Sequence, residues 1–457
     1  MTSSEVSRRD ALKVAAAAII AGVVAGVGAW YLKPATVVGK TVTKTMTETV
    51  TKTVTVTTTL KPTPTTSPTP TTTTAPPPRK EIRIGASIGL TGAVAYFGFE
   101  TKWAYERAVK AVNEKGGIYV KEYGRKLPVK LIIYDDKSDP TVRVSNVEKL
   151  ITSDRVDALL GAVGTTFMLA AAPVIEKYRV PIVTSGVASV KIHQMGYKYI
   201  FTNFFLSYDQ FLVFFKWWET MPEEQRPKTV AIWEEATEHG HENAEYMEKF
   251  AKEYKYDIVL REKYSPGADF TELIIKTKAV NPDVVLALPT GTDAINMIRQ
   301  SKELDFCPKV WALSYGTAMS GFQEALGEDA DYVFASFSYH KSLPFSVNRQ
   351  IVKEYIEETG KEPTLLGCWY ASAEILFDAI ERAGTLDKEA IRKAILETDL
   401  ETCMGRVRFN EDGSLKDSWK LTYLLQWQHG VLELVWPPEV ATSKPWYPTP
   451  PWSARKK

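Results

Sequence analysis

Short apolar runs alternate with longer amphipathic segments along the chain from residue 80 onward. Runs such as Ile82–Ala86, Val129–Tyr134 and Ala158–Gly161 have the length and composition of buried strands. The rhythm restarts further along, where Thr229–Trp233 and Val310–Leu313 are also predicted to be strands. Repeated alternation of strand and helix is typical of a parallel sheet with right-handed crossovers. The predicted fold class is therefore α/β, with two doubly wound parallel-sheet lobes.

Capping signals mark several helix ends. Asp139-Pro140 combines an N-cap acid with a first-turn proline. Gly116-Gly117 is predicted to end the first helix in a left-handed conformation. Thr165 and Thr166 are predicted to open an Ala-rich helix, and Asp209 is expected to cap a helix with an aromatic stripe that faces the core.

The N-terminus has the pattern of a membrane segment. No residue from Val14 to Leu32 is charged, a run of 19. At 1.5 Å per residue a helix of this length spans about 28 Å, one hydrocarbon thickness. Arg8 and Arg9 before the run predict a cytoplasmic start, with the rest of the chain outside. An uncleaved anchor is favoured because the run is long for a cleaved signal, while a twin-arginine or Sec signal fits the same residues.

A Thr/Pro-rich stalk follows the apolar run. Thr occupies every odd position of residues 41–57, and proline recurs through residues 62–78. Proline removes hydrogen-bond donors from a strand ladder and favours polyproline II, so we expect an extended spacer. Such a spacer suits a domain held off a membrane. It predicts a cell-surface or extracytoplasmic protein, either membrane-anchored or secreted, with a composition that would suit an archaeal surface.

Charge and motifs exclude several classes of function. The 56 basic and 55 acidic side chains give a net charge of +1, and residues 79–457 alone carry 48 and 52. A nucleic-acid-binding protein normally carries a basic excess, so no nucleic-acid partner is expected. No P-loop, H-E-x-x-H or C-x-x-C motif is present. The chain is therefore predicted not to be an enzyme and to hold no metal or cofactor.

A series of short segments between residues 80 and 436 resembles a known family. The segments are Leu90-Thr91-Gly92, Val112–Ile118, Asp135–Pro140, Val156–Gly161, Val180–Val183, Asn281–Val285 and Ile298–Lys302. In order and spacing they resemble the type I periplasmic binding proteins, specifically the Leu/Ile/Val-binding-like solute receptors of ABC importers. The resemblance implies two lobes joined by crossovers near Thr202, Ala335 and Phe409. It places the ligand in the cleft between the lobes, at the carboxyl ends of the strands.

Together with the apolar run and the Thr/Pro pattern, the resemblance divides the chain into five parts. They are a signal or anchor segment (1–33), the stalk (34–79), lobe 1 (80–202 plus 336–408), lobe 2 (203–335 plus 409–436) and a Pro/Trp-rich tail (437–457). The tail is expected to lie pinned to the surface of the folded domain.

In lobe 1 the resemblance assigns five ligand-binding residues. Thr165 matches the hydroxyl that holds the ligand's carboxylate, and Thr166 follows it at the same helix start, where free N–H groups favour an anion. Val187 and Ala188 lie in a second loop that contacts the ligand. Phe97 matches an aromatic side chain that covers the ligand.

In lobe 2 the resemblance assigns three more ligand contacts. His239 stands where an aromatic residue normally closes over the ligand, Thr290 lies in the next contact loop, and Ser314 lies where an acid should pair with an α-amino group. No acid stands at Ser314 or Tyr315. A buried ammonium without a counter-charge would be costly.

Two alternatives follow from this departure. Either Asp293, Glu234 or Glu238 supplies the missing charge, or the ligand has no amine. The predicted function is delivery of a branched-chain amino acid, or a related small carboxylate or amide, to an ABC permease/ATPase complex. The alternatives are a receptor for urea, an amide or an aromatic acid, and a ligand-sensing ectodomain. The protein is expected to be a monomer that reaches the membrane through its N-terminal segment.

Overall fold

The computed structural model describes residues 79–455. The predicted anchor and stalk lie outside the described residues, apart from Arg79. Among residues 79–455, no helix combines the length and the apolar character needed to cross a bilayer.

The described residues form sixteen strands. They are β1 (Ile82–Ile88), β2 (Ile118–Val120), β3 (Arg125–Leu127), β4 (Val129–Asp135), β5 (Ala158–Leu160), β6 (Ile182–Thr184), β7 (Ile200–Thr202), β8 (Thr229–Glu235), β9 (Asp257–Tyr264), β10 (Val284–Ala287), β11 (Val310–Leu313), β12 (Val333–Phe337), β13 (Asp399–Thr402), β14 (Gly405–Arg408), β15 (Tyr423–Gln428) and β16 (Val431–Trp436).

Twelve α-helices accompany these strands in the described part of the chain. They are α1 (Ala95–Glu114), α2 (Pro140–Thr152), α3 (Thr165–Tyr178), α4 (Lys191–Gln194), α5 (Asp209–Glu219), α6 (Glu238–Glu253), α7 (Thr271–Val280), α8 (Gly291–Glu303), α9 (Ser320–Leu326), α10 (Ser346–Thr359), α11 (Leu366–Ala383) and α12 (Lys388–Leu396).

Two sheets organise the molecule, and each defines a lobe below. Lobe 1 is built on a five-stranded parallel sheet in the order β4-β1-β5-β6-β7. Lobe 2 is built on a seven-stranded sheet in the order β16-β15-β12-β11-β10-β8-β9. In lobe 2, β15 pairs antiparallel with both β12 and β16. The expectation of purely parallel sheets is therefore wrong for this edge, where a two-residue turn makes a hairpin in place of a helical crossover.

The chain passes between the two sheets more than once. It leaves the first sheet after β7, returns toward α1 after β12, and rejoins the second sheet at β15. The segment after β12 packs beside lobe 1, because Trp103 of α1 meets Tyr355 of α10 edge to face at 5.2 Å. Loops at the carboxyl ends of both sheets can therefore lie on either side of one cleft.

Most of the local helix predictions agree with the structure. Asp139 caps α2, because its carboxylate accepts the N–H groups of Thr141 and Val142. Helix α5 buries its aromatic stripe completely. Asp209 differs from the prediction: it is the first helical residue, and its carboxylate accepts the N–H of Leu206, which lies before the helix.

The Pro/Trp-rich tail packs on lobe 2. The main chain of Trp446 exchanges two hydrogen bonds with the amide of Gln426 on β15 (2.7 and 2.9 Å). The indole of Trp452 donates to the carbonyl of Phe306 (2.8 Å). Arg455 stacks on the Trp452 ring, with 3.6 Å between the guanidinium and the ring centroid. The tail is thus an ordered part of this lobe.

Candidate functional site

The start of helix α3 has the features of an anion pocket. Gly164 precedes it with φ 112°, a conformation that a residue with a Cβ rarely adopts. Thr165 is half-buried and Thr166 is exposed. Within the described residues, the N–H groups of Thr165, Thr166 and Phe167 have no hydrogen-bond acceptor. They remain available to a carboxylate, which the positive end of the helix dipole favours.

The second predicted loop of lobe 1 lies against the first. The N–H of Gly164 donates to the carbonyl of Gly186 (3.0 Å). Val187 is fully buried, so its side chain belongs to the core and only its main chain can serve a ligand. The carbonyl of Ala188 accepts the N–H and the hydroxyl of Ser207 (2.8 and 3.0 Å), which ties this loop to the segment that leaves β7.

Phe97 is half-buried near the start of α1. It packs against the core of lobe 1 and meets Tyr96 edge to face, with 5.5 Å between ring centroids. Tyr96 is 54% exposed, and its hydroxyl lies 2.8 Å from that of Thr364. The more accessible aromatic side chain at this position is therefore Tyr96.

In lobe 2 the loops after β10 and β11 lie together. The N–H of Ser314 donates to the carbonyl of Ala287 (3.3 Å), and a Cβ on Gly316 would overlap the carbonyl oxygen of Pro289. Thr290 is exposed just before α8. Ser314 is fully buried, and its hydroxyl donates to the side chain of Gln210 on α5. The Ser314 hydroxyl thus donates its hydrogen bond within lobe 2 and not to a ligand.

His239 lies in the first turn of α6 and is exposed to solvent. Desolvation by the surrounding protein lowers its pKa, which favours the neutral imidazole. Its main-chain carbonyl accepts the amide of Asn243 (2.9 Å), and the Thr237 hydroxyl caps the helix by accepting the N–H of Gly240 (3.0 Å). The ring Nδ1 also lies 3.4 Å from the amide nitrogen of Asn243, so Nε2 is the ring nitrogen that a ligand could contact.

The three acids that could replace the missing counter-charge all have other partners. Glu234 is buried and pairs with His241, Arg261 and Lys263. Asp293 is buried and accepts the N–H of Gly267 with both oxygens (3.1 Å each). Glu238 is exposed and pairs with Lys191 of the other lobe. Glu234 and Glu238 are therefore paired with cations, while Asp293 is hydrogen-bonded to a main-chain N–H.

A cavity of about 760 Å³ opens beside these loops. Its walls come from both lobes and from the segment that follows β12. The side chains that line it include Tyr96, Met319, Tyr339, His340, Thr364 and Trp427. None of the eight predicted ligand contacts lines it, but Tyr96 is the neighbour of Phe97 and Met319 follows the Ser314 loop. The cavity therefore adjoins the Phe97 side of the predicted site, and Thr165, Val187 and His239 lie outside its walls.

Features suggestive of catalysis or metal binding find no support in the described residues. Gly85–Gly89 matches the G-x-S-x-G pattern of hydrolases. However, Ser87 lies inside β1, is buried and bonds to Asp136 and Asn146, so it is not a nucleophile at a turn. Residues 79–455 contain no cluster of three His, Cys, Asp or Glu that could hold a metal.

Comparison with known proteins identifies the family. A family model described as periplasmic binding protein matches residues 81–430. The chain belongs to the periplasmic binding protein family. This confirms the resemblance seen in the sequence and the type I α/β fold, and it agrees with the expectation that the chain is not an enzyme, because its homologues are solute-binding proteins.

Individual relatives of this periplasmic binding protein are distant. The "Leu/Ile/Val-binding protein homolog 7" of Brucella abortus is 24% identical over 393 residues, which cover 80% of this chain and 94% of that protein. A branched-chain amino acid transporter substrate-binding protein from Streptococcus pneumoniae, solved with isoleucine, has a TM-score of 0.62 at 20% identity and covers 77% and 98% of the two chains.

A second solved structure carries a different kind of ligand. It is a solute-binding protein of an ABC transporter from Rhodopseudomonas palustris, in complex with 3,4-dihydroxy benzoic acid. Its TM-score is 0.61 at 19% identity, covering 78% of this chain and 95% of that one. The same fold thus carries an amino acid in one neighbour and an aromatic acid without an amine in another.

Sequence reasoning missed Arg143 and most of the cavity wall. Arg143 had a readable signal, because it occupies the same helical stripe as Val147, Leu150 and Ile151, which are all buried. A charged residue on an apolar stripe predicts a buried partner, here Asp136. The cavity wall had no such signal, since its residues come from segments far apart in the chain.

Proposed function

We propose that this periplasmic binding protein captures a small organic carboxylate without an α-amino group and delivers it to an ABC transporter. The carboxylate would be held by Thr165, Thr166 and the free N–H groups at the start of α3. Main-chain groups of Val187 and Ala188 would complete the lobe 1 side of the site. Closure of lobe 2 would bring His239 and Thr290 onto the ligand.

The lack of an acid at the amine position carries the choice of ligand. Ser314 occupies that position and is bonded to Gln210, while Glu234, Asp293 and Glu238 each have a partner. A desolvated ammonium would need one of these carboxylates as its counter-charge. A carboxylate that turned to the ammonium would leave its present partner unpaired. A carboxylate without an amine incurs no such cost. Tyr96 and Trp427 in the adjoining cavity suit an apolar or aromatic body.

A matched pair of ligands tests the proposal. Leucine and its keto-acid analogue share the carboxylate and the branched side chain and differ at the amine. Titration calorimetry on the full-length chain is expected to show tighter binding of the keto acid, and 3,4-dihydroxybenzoate is expected to bind as well. Tighter binding of leucine would contradict the amine-free ligand. Failure of all three to bind would contradict the carboxylate receptor.

A branched-chain amino acid is the second candidate, and one observation favours it. Oε2 of Glu235, at the end of β8, is buried and has no hydrogen-bond partner in the described part of the chain, while Oε1 accepts the Thr237 hydroxyl (2.9 Å). An ammonium at Oε2 would compensate this acid. In that case leucine would bind tightly to the wild-type chain, and Glu235→Gln would weaken leucine far more than the keto acid.

A further inference from the structure

Arg143 lies beneath the loop that opens helix α3. Its side chain is 2% exposed, and Nε donates to Oδ2 of the fully buried Asp136 (2.7 Å). Nη1 lies 3.4 Å from the carbonyl oxygen of Ala162 and 3.3 Å from that of Val163. The guanidinium also stacks over the Phe167 ring, 4.8 Å from its centroid. One buried cation therefore contacts two carbonyls of the loop before α3 and the ring of a residue in its first turn.

Stability alone gives no reason for this cation. Removing a guanidinium from water is costly, and apolar replacements of buried ion pairs are often neutral or stabilising. Arg143 occupies the apolar stripe of α2, where an aliphatic residue would pack against Val147 and Leu150. Its contacts with the loop before α3 indicate that Arg143 serves the candidate ligand site and not the core.

The contacts also orient the loop. A trans peptide points its N–H opposite to its carbonyl. Because the carbonyls of Ala162 and Val163 face Arg143, the N–H groups of Val163 and Gly164 point away from it, and that of Gly164 reaches the Gly186 carbonyl. Phe167 fills the space that a Cβ on Gly164 would need, so the ring fixes the loop from the other side.

We propose that Arg143 is a positioning residue that makes the start of α3 selective for a carboxylate over a neutral amide. It turns the loop carbonyls inward, so that the N–H groups at a helix start whose dipole favours an anion face the ligand, while its own charge is balanced by Asp136. This role rests on the proposed function, because it requires a ligand carboxylate at Thr165 and Thr166.

The test compares two ligands of nearly the same shape, one an anion that only accepts hydrogen bonds at this end and the other a neutral amide. The keto-acid analogue of leucine and the primary amide of that acid are titrated against the full-length wild-type chain and against Arg143→Gln, Arg143→Lys and the double variant Asp136→Asn/Arg143→Gln. The double variant removes both charges together and so avoids an unpaired buried carboxylate. We expect the preference for acid over amide to fall about tenfold in Arg143→Gln and in the double variant. Arg143→Lys should retain most of it.

Arg107→Gln is the matched control. Arg107 is a partly buried arginine of lobe 1 that pairs with Glu354 between α1 and α10, away from the α3 loop. It should lose stability without a change in the preference between acid and amide. Two outcomes would overturn the role of Arg143 and leave the proposed function standing. They are an equal loss of affinity for both ligands in Arg143→Gln and an unchanged preference in the folded double variant. A wild-type chain that binds no carboxylate would overturn the proposed function with it.

Discussion

Lys191 of lobe 1 forms an ion pair with Glu238 of lobe 2. Each residue is the first of its helix, α4 and α6, and both side chains are largely exposed. The charge of each residue affects the pKa of the other, since the pKa of Glu238 is lowered and that of Lys191 is raised by the pairing. The pair joins the rims of the two lobes beside the predicted ligand loops.

Reversing one of these charges should open the lobes. Lys191→Glu places two carboxylates at the rim, so we expect a larger radius of gyration by small-angle scattering, with little change in thermal stability because the pair is exposed. The double variant Lys191→Glu/Glu238→Lys should restore the compact form. Lys353→Glu, which breaks a pair within α10, is the control. An unchanged radius in Lys191→Glu would show that the pair does not hold the lobes.

Gly164→Ala should damage both stability and binding. The new Cβ would overlap the Phe167 ring and would also meet an unfavourable φ of 112°. We expect a loss of about 3 kcal/mol in the free energy of unfolding by chemical denaturation, from overpacking and backbone strain together.

Gly124→Ala separates these two causes. Gly124 also has a positive φ, 64°, but a Cβ there meets nothing within 4 Å. Its cost should be about 1 kcal/mol, with no effect on ligand binding. Equal losses in the two variants would mean that the Phe167 contact is unimportant.

His340 should make the protein less stable in mild acid. It is buried, its Nδ1 accepts the N–H of Ser342 (3.3 Å), and Nε2 donates to the carbonyl of Leu432 (3.0 Å). Desolvation lowers its pKa from 6.5 to about 4. As the pH falls below 6.5 the unfolded chain takes up the proton first, so stability is lost between pH 6.5 and 4, by about 3 kcal/mol in all.

Other groups act in the opposite direction in the same range. Burial raises the pKa of Glu100, Asp209 and Glu374 to about 7, so these carboxyls favour the folded state as the pH falls from about 7 toward their ordinary values. The measurement is therefore the difference between wild type and His340→Gln in unfolding free energy at each pH. A difference that does not change between pH 7 and 4 would contradict the assignment to His340.

Removing the tail from Ser443 onward should destabilise lobe 2. Gln426 and Gln428 on β15 are buried, and their amides bond to the main chain of Trp446 and Lys444. Truncation removes these bonds at about 1 kcal/mol each, although Gln426 keeps the carbonyl of Tyr332 and Gln428 keeps the side chain of Gln426 as partners. Calorimetry should show a lower melting temperature. Trp452→Ala removes the indole bond to Phe306 and the ring beneath Arg455 but keeps the bonds of Lys444 and Trp446, so it should cost less. An unshifted melting temperature in the truncated chain would contradict the packing role.

Local sequence signals were enough to predict the fold. Side-chain contacts between distant segments could not be predicted from them. Asp139-Pro140 and Val310–Leu313 specify a helix start and a buried strand within a few residues. Asp209 carries the same capping signal as Asp139, yet its carboxylate turns back to Leu206, because the backbone before it is already helical at Tyr208.

For the candidate site, the family resemblance proposes loops at Thr165, Val187 and Thr290 but does not show which side chains face a ligand. Whether a hydroxyl such as that of Ser314 faces a ligand depends on Gln210, which is 104 residues away in the chain. Arg143 and Asp136 are close in sequence, but the contact of Arg143 with the Ala162 carbonyl requires β5 and α2 to be packed together.

The cavity beside the site has walls from both lobes and from the segment that contains His340. A space built in this way has no fixed size, because rotating one lobe against the other changes its width. The size of a ligand therefore determines how far the lobes can close, and too large a molecule would hold them apart. The outer surface of the protein therefore differs between the ligand-bound and the empty state. A partner that contacts only this surface can distinguish the two states.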